Sequence, residues 1–156
     1  MAVTVLRTKI AEAYREQLLL SCYPHFTNKS VDVALKTEAA KGIEIKHSGV
    51  TVALATVLKN ELLCICVRED LRTLRYGTFL LRKSCELVDG DEIWVQADTN
   101  FQKWYRNRGF DRADGKARKN RVRMRADKCS LLAACEKLTE GRNSPRIEEF
   151  SCETSR

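Results

Sequence analysis

Apolar and polar positions follow two rhythms along this chain, and the change from one to the other marks out a central sheet. Over residues 8–20, Ile10, Tyr14 and Leu18 recur at every fourth position, the spacing of a helix with one buried stripe, and Thr8 supplies a capping hydroxyl. Pro24 closes that segment, because the residue before a proline avoids helical geometry. A second helix is predicted from Ser30 through Val31, Leu35 and Ala39, stopped by Gly42. From Ile43 the period shortens to two: Ile43 and Ile45 alternate with Glu44 and Lys46 as far as His47. Ser48-Gly49 turns the chain into residues 50–58, apolar or small on both faces as in an inner strand, and Lys59-Asn60 turns it again into residues 61–67. The three segments read as an antiparallel meander.

Beyond Val67 a polar stretch, residues 68–75, leads to a helix near Gly77 whose buried stripe is Leu81, Cys85 and Val88. Asp89-Gly90-Asp91 breaks it, and residues 93–97 form the next strand. A strand, helix and strand of these lengths make a right-handed parallel crossover, so residues 93–97 should lie beside residues 62–67. Residues 100–108 read as a short helix ended by Gly109, residues 121–125 as a strand with arginines on one face and Val122 and Met124 on the other, and residues 130–138 as a last helix. No internal repeat is visible. The fold class is α/β of the α+β kind: a mixed, mostly antiparallel sheet with helices on both faces. One domain is expected over residues 1–139, with a polar, flexible tail at 140–156 containing Pro145.

A hydrophobic fraction of 44% in 156 residues suffices for a core, and no apolar run approaches the length of a membrane span. Seven cysteines, an odd number, with several inside apolar runs and no secretory start at residues 1–6, are expected to be reduced thiols in a cytoplasmic protein. Cys64 and Cys66 have no matching Cys or His pair, so no metal site is expected. His25 and His47 fall in or beside turns and read as surface histidines.

Charge alters the picture locally. Between Lys103 and Lys128 stand eleven Lys or Arg against Asp111, Asp114 and Asp127, a local +8 that exceeds the whole chain's +7. Such a cluster either serves as a solvated face or receives a polyanion, and Arg118, Lys119, Arg121, Arg123 and Arg125 are the candidate nucleic-acid contacts.

The segment most suggestive of chemistry is the loop Arg72-Thr73-Leu74-Arg75-Tyr76-Gly77-Thr78. A loop feeding a helix N-terminus presents free N–H groups and the positive end of the helix dipole, a site for an anion such as a diphosphate. Residues 66–81 resemble the coenzyme A motif of the GNAT superfamily, an apolar strand followed by Arg/Gln-x-x-Gly-x-Gly/Ala and a Leu-rich helix. Arg72 matches its first position and Gly77 its last, while Arg75 stands where the middle glycine belongs. Residues 100–110 resemble the same superfamily's Tyr-x-x-x-Gly-Phe segment through Tyr105, Gly109 and Phe110.

The resemblance implies a splayed central strand pair that admits acetyl-CoA and an N-acetyltransferase acting on an amine. It implies coenzyme contacts at Cys66, Val67, Arg72, Thr73, Leu74, Arg75, Tyr76, Gly77, Thr78 and Asn100, with a backbone N–H near Val67 as oxyanion donor. Tyr105 then protonates the leaving thiolate or packs as an aromatic, and Trp104 belongs to the core. Glu44, Glu61 and Asp98 are the carboxylates placed by topology to act as base. Asp98, at the end of its strand beside the cleft, comes first, or else it caps the helix that follows. The competing reading is a GNAT-like module that has lost acyl transfer and holds nucleic acid on its basic face. The acceptor and the oligomeric state stay open, a homodimer among the options.

Overall fold

The computed structural model describes residues 3–8, 40–113 and 120–139, with the side chains of 3–8, 73 and 74 left aside. Thr8, expected to cap a helix, instead ends a strand that pairs with residue 42, and residues 9–20, 30–39 and the tail at 140–156 lie outside the described residues. The chain forms β1 (Val3–Thr8), β2 (Lys41–His47), β3 (Val50–Leu58) and β4 (Glu61–Val67), then a 3-10 helix (Glu69–Leu74) and α1 (Tyr76–Leu87). It continues through β5 (Glu92–Asp98), a 3-10 turn (Thr99–Phe101), α2 (Gln102–Arg106), β6 (Asp111–Arg112), β7 (Arg121–Asp127) and α3 (Lys128–Thr139). The seven strands make one sheet in the order β1-β2-β3-β4-β5-β7-β6. Every ladder is antiparallel except β4–β5, the predicted crossover.

The meander forms where the alternation and turn residues place it. Ser48 and Gly49 both take positive φ, 51° and 80°, the geometry a two-residue hairpin loop needs to match strand twist. All of residues 51–57 on β3 are buried, so both faces of this central strand are covered, as its unbroken apolar character predicts. β5 and β7 instead bury one face. Ile93, Val95 and Ala97 pair with Ala126, Met124 and Val122, and all six lie in the core.

Leu80 and Leu81 of α1 and Leu131 and Cys135 of α3 complete that core. Two contacts fix α3 at the end of β7. Asp127 accepts from the Ser130 backbone N–H (2.8 Å) and hydroxyl (2.7 Å), a helix cap that also holds its carboxyl below the usual range. Lys128 Nζ donates to the Val88 carbonyl at the end of α1 (2.8 Å). Gly109, at φ +90°, carries the chain from α2 so close to α3 that a Cβ there would stand 2.9 Å from the Ser130 carbonyl oxygen.

Candidate active site

The β4–β5 ladder consists of Glu61 with Trp94 and Leu62 with Val95. Past those pairs the strands diverge, and residues 63–67 lose their neighbour on one side while β3 continues to pair with them on the other. The expected splay is therefore present. Along that stretch β4 has no strand partner on its β5 side among the described residues.

The mouth of the splay is built by the segment that leaves β4. Arg68 N–H donates to the Val52 carbonyl (2.8 Å), and its guanidinium grips Asp70 (2.6 and 3.0 Å) on the surface. Arg72 Nε reaches back to the Val67 carbonyl (3.1 Å), laying a cation across the end of the strand. Thr73 and Leu74 fall within the 3-10 helix, and Arg75 then takes φ 64°, ψ 19°. This is the left-handed conformation a glycine adopts freely, so the arginine at the middle-glycine position keeps a glycine-like backbone and bears its strain. The first α1 hydrogen bond is Phe79 N–H to the Arg75 carbonyl (3.1 Å), which leaves the N–H groups of Tyr76, Gly77 and Thr78 at the helix start. No side chain caps this end and no acid occupies its first turn. A positive helix end beside Arg72 and Arg75 suits a phosphate group.

Relieving the strain at Arg75 is expected to be measurable. Arg75→Gly should stabilise the chain by about 0.5–1 kcal/mol, the left-handed penalty less glycine's extra unfolded-state freedom, read from thermal or urea melts. A loss of stability instead would show that the Arg75 side chain makes a compensating contact.

Gly77 also makes room for a neighbouring ring. A Cβ there would stand 3.1 Å from the Trp104 ring, so it is the indole of α2 that comes close to this position. Trp104 packs against the core as expected, and the Arg108 guanidinium stacks 3.9 Å from its ring centroid. Arg108 Nε donates to Thr78 Oγ1 of α1 (3.1 Å) and Nη1 to the Trp104 carbonyl of α2 (2.9 Å). Sequence reasoning counted Arg108 as one more surface charge. It is 9% exposed, and burial pushes its pKa down to about 10, so it stays charged at neutral pH.

Tyr105 is buried edge-on between Trp104 (4.9 Å) and Phe110 (5.3 Å). Burial raises its pKa first, and the Cys64 thiol on β4 raises it further, while Arg121 on β7 and Arg108 pull it down. The phenol keeps its proton well past neutral pH.

The remaining candidates occupy plainer positions. One Asp98 oxygen accepts the Asn100 N–H (2.9 Å), the capping alternative, and Asn100 itself is exposed. Glu44 is buried on β2 and accepts from the Thr51 hydroxyl, two strands from the open edge, and Glu61 lies at the paired end of β4. Cys66 is disulfide-bonded, which corrects the expectation that all cysteines are reduced. Cys64, Cys85, Cys129 and Cys135 are in no disulfide.

His47 is not the plain surface histidine expected. Its Nε2 meets the hydroxyl of buried Tyr76 at 2.6 Å, tying the β2–β3 turn to the start of α1. Burial, then Arg68, lowers its pKa below 6.5. The unfolded chain therefore takes up this proton first as pH falls, and folded-state stability should decline below about pH 6.5. Melts between pH 7 and 5 should show the decline, and His47→Gln should flatten it.

The arginine face also differs from expectation. Arg123 and Arg125 stack on Trp94 at 4.3 and 5.6 Å, but Asp98 faces Arg121, Asp111 faces Arg125, and Glu92 faces Asp127 across the ladders. The β5–β7 surface is of mixed sign. Arg118 and Lys119 lie outside the described residues.

Solved structures with the same architecture include the IAA acetyltransferase of Bacillus cereus (19% identical, 81% of this chain and 99% of that one, TM-score 0.61). They also include a GCN5-related N-acetyltransferase of Rhodopseudomonas palustris (14%, 81% and 96%, TM-score 0.61). The fold is that of the GNAT superfamily. A third structure, the PaiA N-acetyltransferase of Thermoplasma acidophilum in complex with coenzyme A, is 12% identical over 81% of this chain and 99% of its own (TM-score 0.55). No protein-family model and no curated protein matches the chain in sequence. The motif positions lie near one another: Arg72 reaches the Val67 carbonyl, Gly77 adjoins Val67 and Trp104, and Tyr105 follows Trp104 on α2. Among the described residues no helix is long and apolar enough to cross a membrane.

Proposed function

We propose that this chain is an N-acyltransferase that binds acetyl-CoA in the β4–β5 splay and passes its acyl group to an amine. The observation that carries the reading is the arrest of β4–β5 pairing after Leu62 and Val95, with an uncapped, acid-free helix start at the same end. In this reading an extended, amide-bearing ligand lies along β4 on the side where β5 turns away. The N–H groups of Tyr76, Gly77 and Thr78, with Arg72 and Arg75, hold its diphosphate. Acetyl-CoA supplies the activated thioester.

A main-chain N–H near Val67 is the proposed oxyanion donor. Tyr105, protonated at neutral pH, is the proposed donor to the departing thiolate. Asp98 is engaged as a cap, and the proton of the incoming ammonium is assigned to no side chain. The mixed charge of the β5–β7 face gives no ground for a polyanionic acceptor. Arg75's glycine-like backbone preserves the loop, which supports catalysis over a module that has lost its coenzyme.

Acetyl-CoA at a hundredfold excess over its dissociation constant is expected to stabilise the protein by about 2.7 kcal/mol, seen as a higher melting temperature. An unchanged melt at millimolar coenzyme would reject the reading. Mass spectrometry of amine mixtures incubated with acetyl-CoA then identifies the acceptor.

A further inference from the structure

The least economical group in the described core is a cation. Arg108 is nearly buried, and no carboxylate pairs with it among the described residues. Arg75 is close enough to oppose its charge. Buried charges are normally neutralised by a partner, because desolvation outweighs most other gains. An aliphatic side chain would fill the same space without that penalty, so the guanidinium needs an explanation in what it touches.

It touches both arms of the candidate site. Nε binds Thr78 in the first turn of α1, the turn that carries the free N–H groups, and Nη1 binds the Trp104 carbonyl beside Tyr105 in α2. Its plane covers the Trp104 ring, which in turn lies against Gly77. The α2 segment is short, five residues with a 3-10 turn before it, and has little hydrogen bonding of its own to hold an angle. The backbone N–H groups of both Arg108 and Phe110 return to the Tyr105 carbonyl (2.9 and 3.2 Å), so the arginine and the tyrosine share one tight turn.

We propose that Arg108 is a positioning residue: one guanidinium fastens the Tyr105 turn to the coenzyme-side end of α1 and so sets where the phenol points in the splay. The proposal rests on the acyltransferase reading for its catalytic consequence, and on geometry alone for the fastening. The planar fork is required, since a lysine supplies charge without two donors in fixed directions. The same charge offsets part of the effect of burial on the Tyr105 phenol.

The test is a double-mutant cycle on turnover. Arg108→Gln should lower kcat about tenfold with the KM for acetyl-CoA little changed, the signature of a misplaced group rather than a lost binding contact. In a Tyr105→Phe background the same change should add almost nothing, because the group it positions is already gone. A purely structural arginine would give losses that multiply, and that outcome overturns the proposal, as does unchanged kcat. Thr78→Val, nearly the same shape, removes only the Nε acceptor. It should reproduce a weaker, equally non-additive loss even if Arg108→Gln folds poorly.

Hydrogen exchange supplies a readout that needs no turnover. Thr78→Val should speed exchange of the amides at residues 103–108, and protection left intact there would overturn the fastening. If the parent protein transfers no acyl group while exchange responds as expected, the acyltransferase reading has failed and the fastening has not.

Discussion

Gly109→Ala is expected to destabilise this protein by about 3 kcal/mol, lowering its melting temperature by about 6–12 °C. Two effects add. The residue sits at φ +90°, where a side chain is strained, and a Cβ would meet the Ser130 carbonyl oxygen at 2.9 Å and the Leu131 nitrogen at 3.0 Å. Those atoms are backbone at the start of α3, held by the Asp127 cap, and cannot swing aside as a side-chain tip would. Gly90→Ala is the control. Its φ is +79° but nothing lies within 4 Å of the added methyl, so only conformational strain of about 1 kcal/mol should appear. Equal losses at the two positions would show that α3 yields to the methyl group.

Tyr105→Phe is expected to lower kcat about a hundredfold while leaving affinity for coenzyme A nearly unchanged. The substitution removes one hydroxyl from an otherwise apolar packing site between Trp104 and Phe110, and the proposed coenzyme contacts lie on β4, the 3-10 segment after it and the start of α1 rather than at the phenol. The pH profile gives a second criterion. Burial places ionisation of Tyr105 above the usual value of 10.0, so any alkaline limb of kcat due to this acid should lie above pH 10 and vanish in the variant. Unchanged turnover would remove Tyr105 from the chemistry and leave it as packing.

The sheet was largely legible because its signals are local. Ser48-Gly49 and Lys59-Asn60 mark the turns, and the burial of residues 51–57 follows from a run with no polar face. β1 was missed because Val3–Thr8 is bounded by no turn signal and gains its order from pairing with β2, more than thirty residues away in sequence. β6, at two residues, is too short for any period. At the candidate site the motif residues were legible but their environments were not. That Gly77 receives an indole, that His47 binds Tyr76 and that Arg108 is buried all depend on which helix lands on which strand. Arg108 carried a faint clue, since Trp104 precedes it by four residues, the spacing at which side chains meet if the expected helix over 100–108 runs its full length. It was lost among the neighbouring arginines, whose charge count also hid the acids that β5 and β6 bring alongside Arg121 and Arg125.

The interruption of the β4–β5 ladder has a consequence for how this protein tolerates change. A ligand gripped by peptide groups along a strand is measured against the repeat of the main chain, not against particular side chains. Under the proposed coenzyme grip, Leu63 and Ile65 can drift among other strand-forming residues while the slot keeps its spacing, whereas a proline at either would delete a main-chain donor.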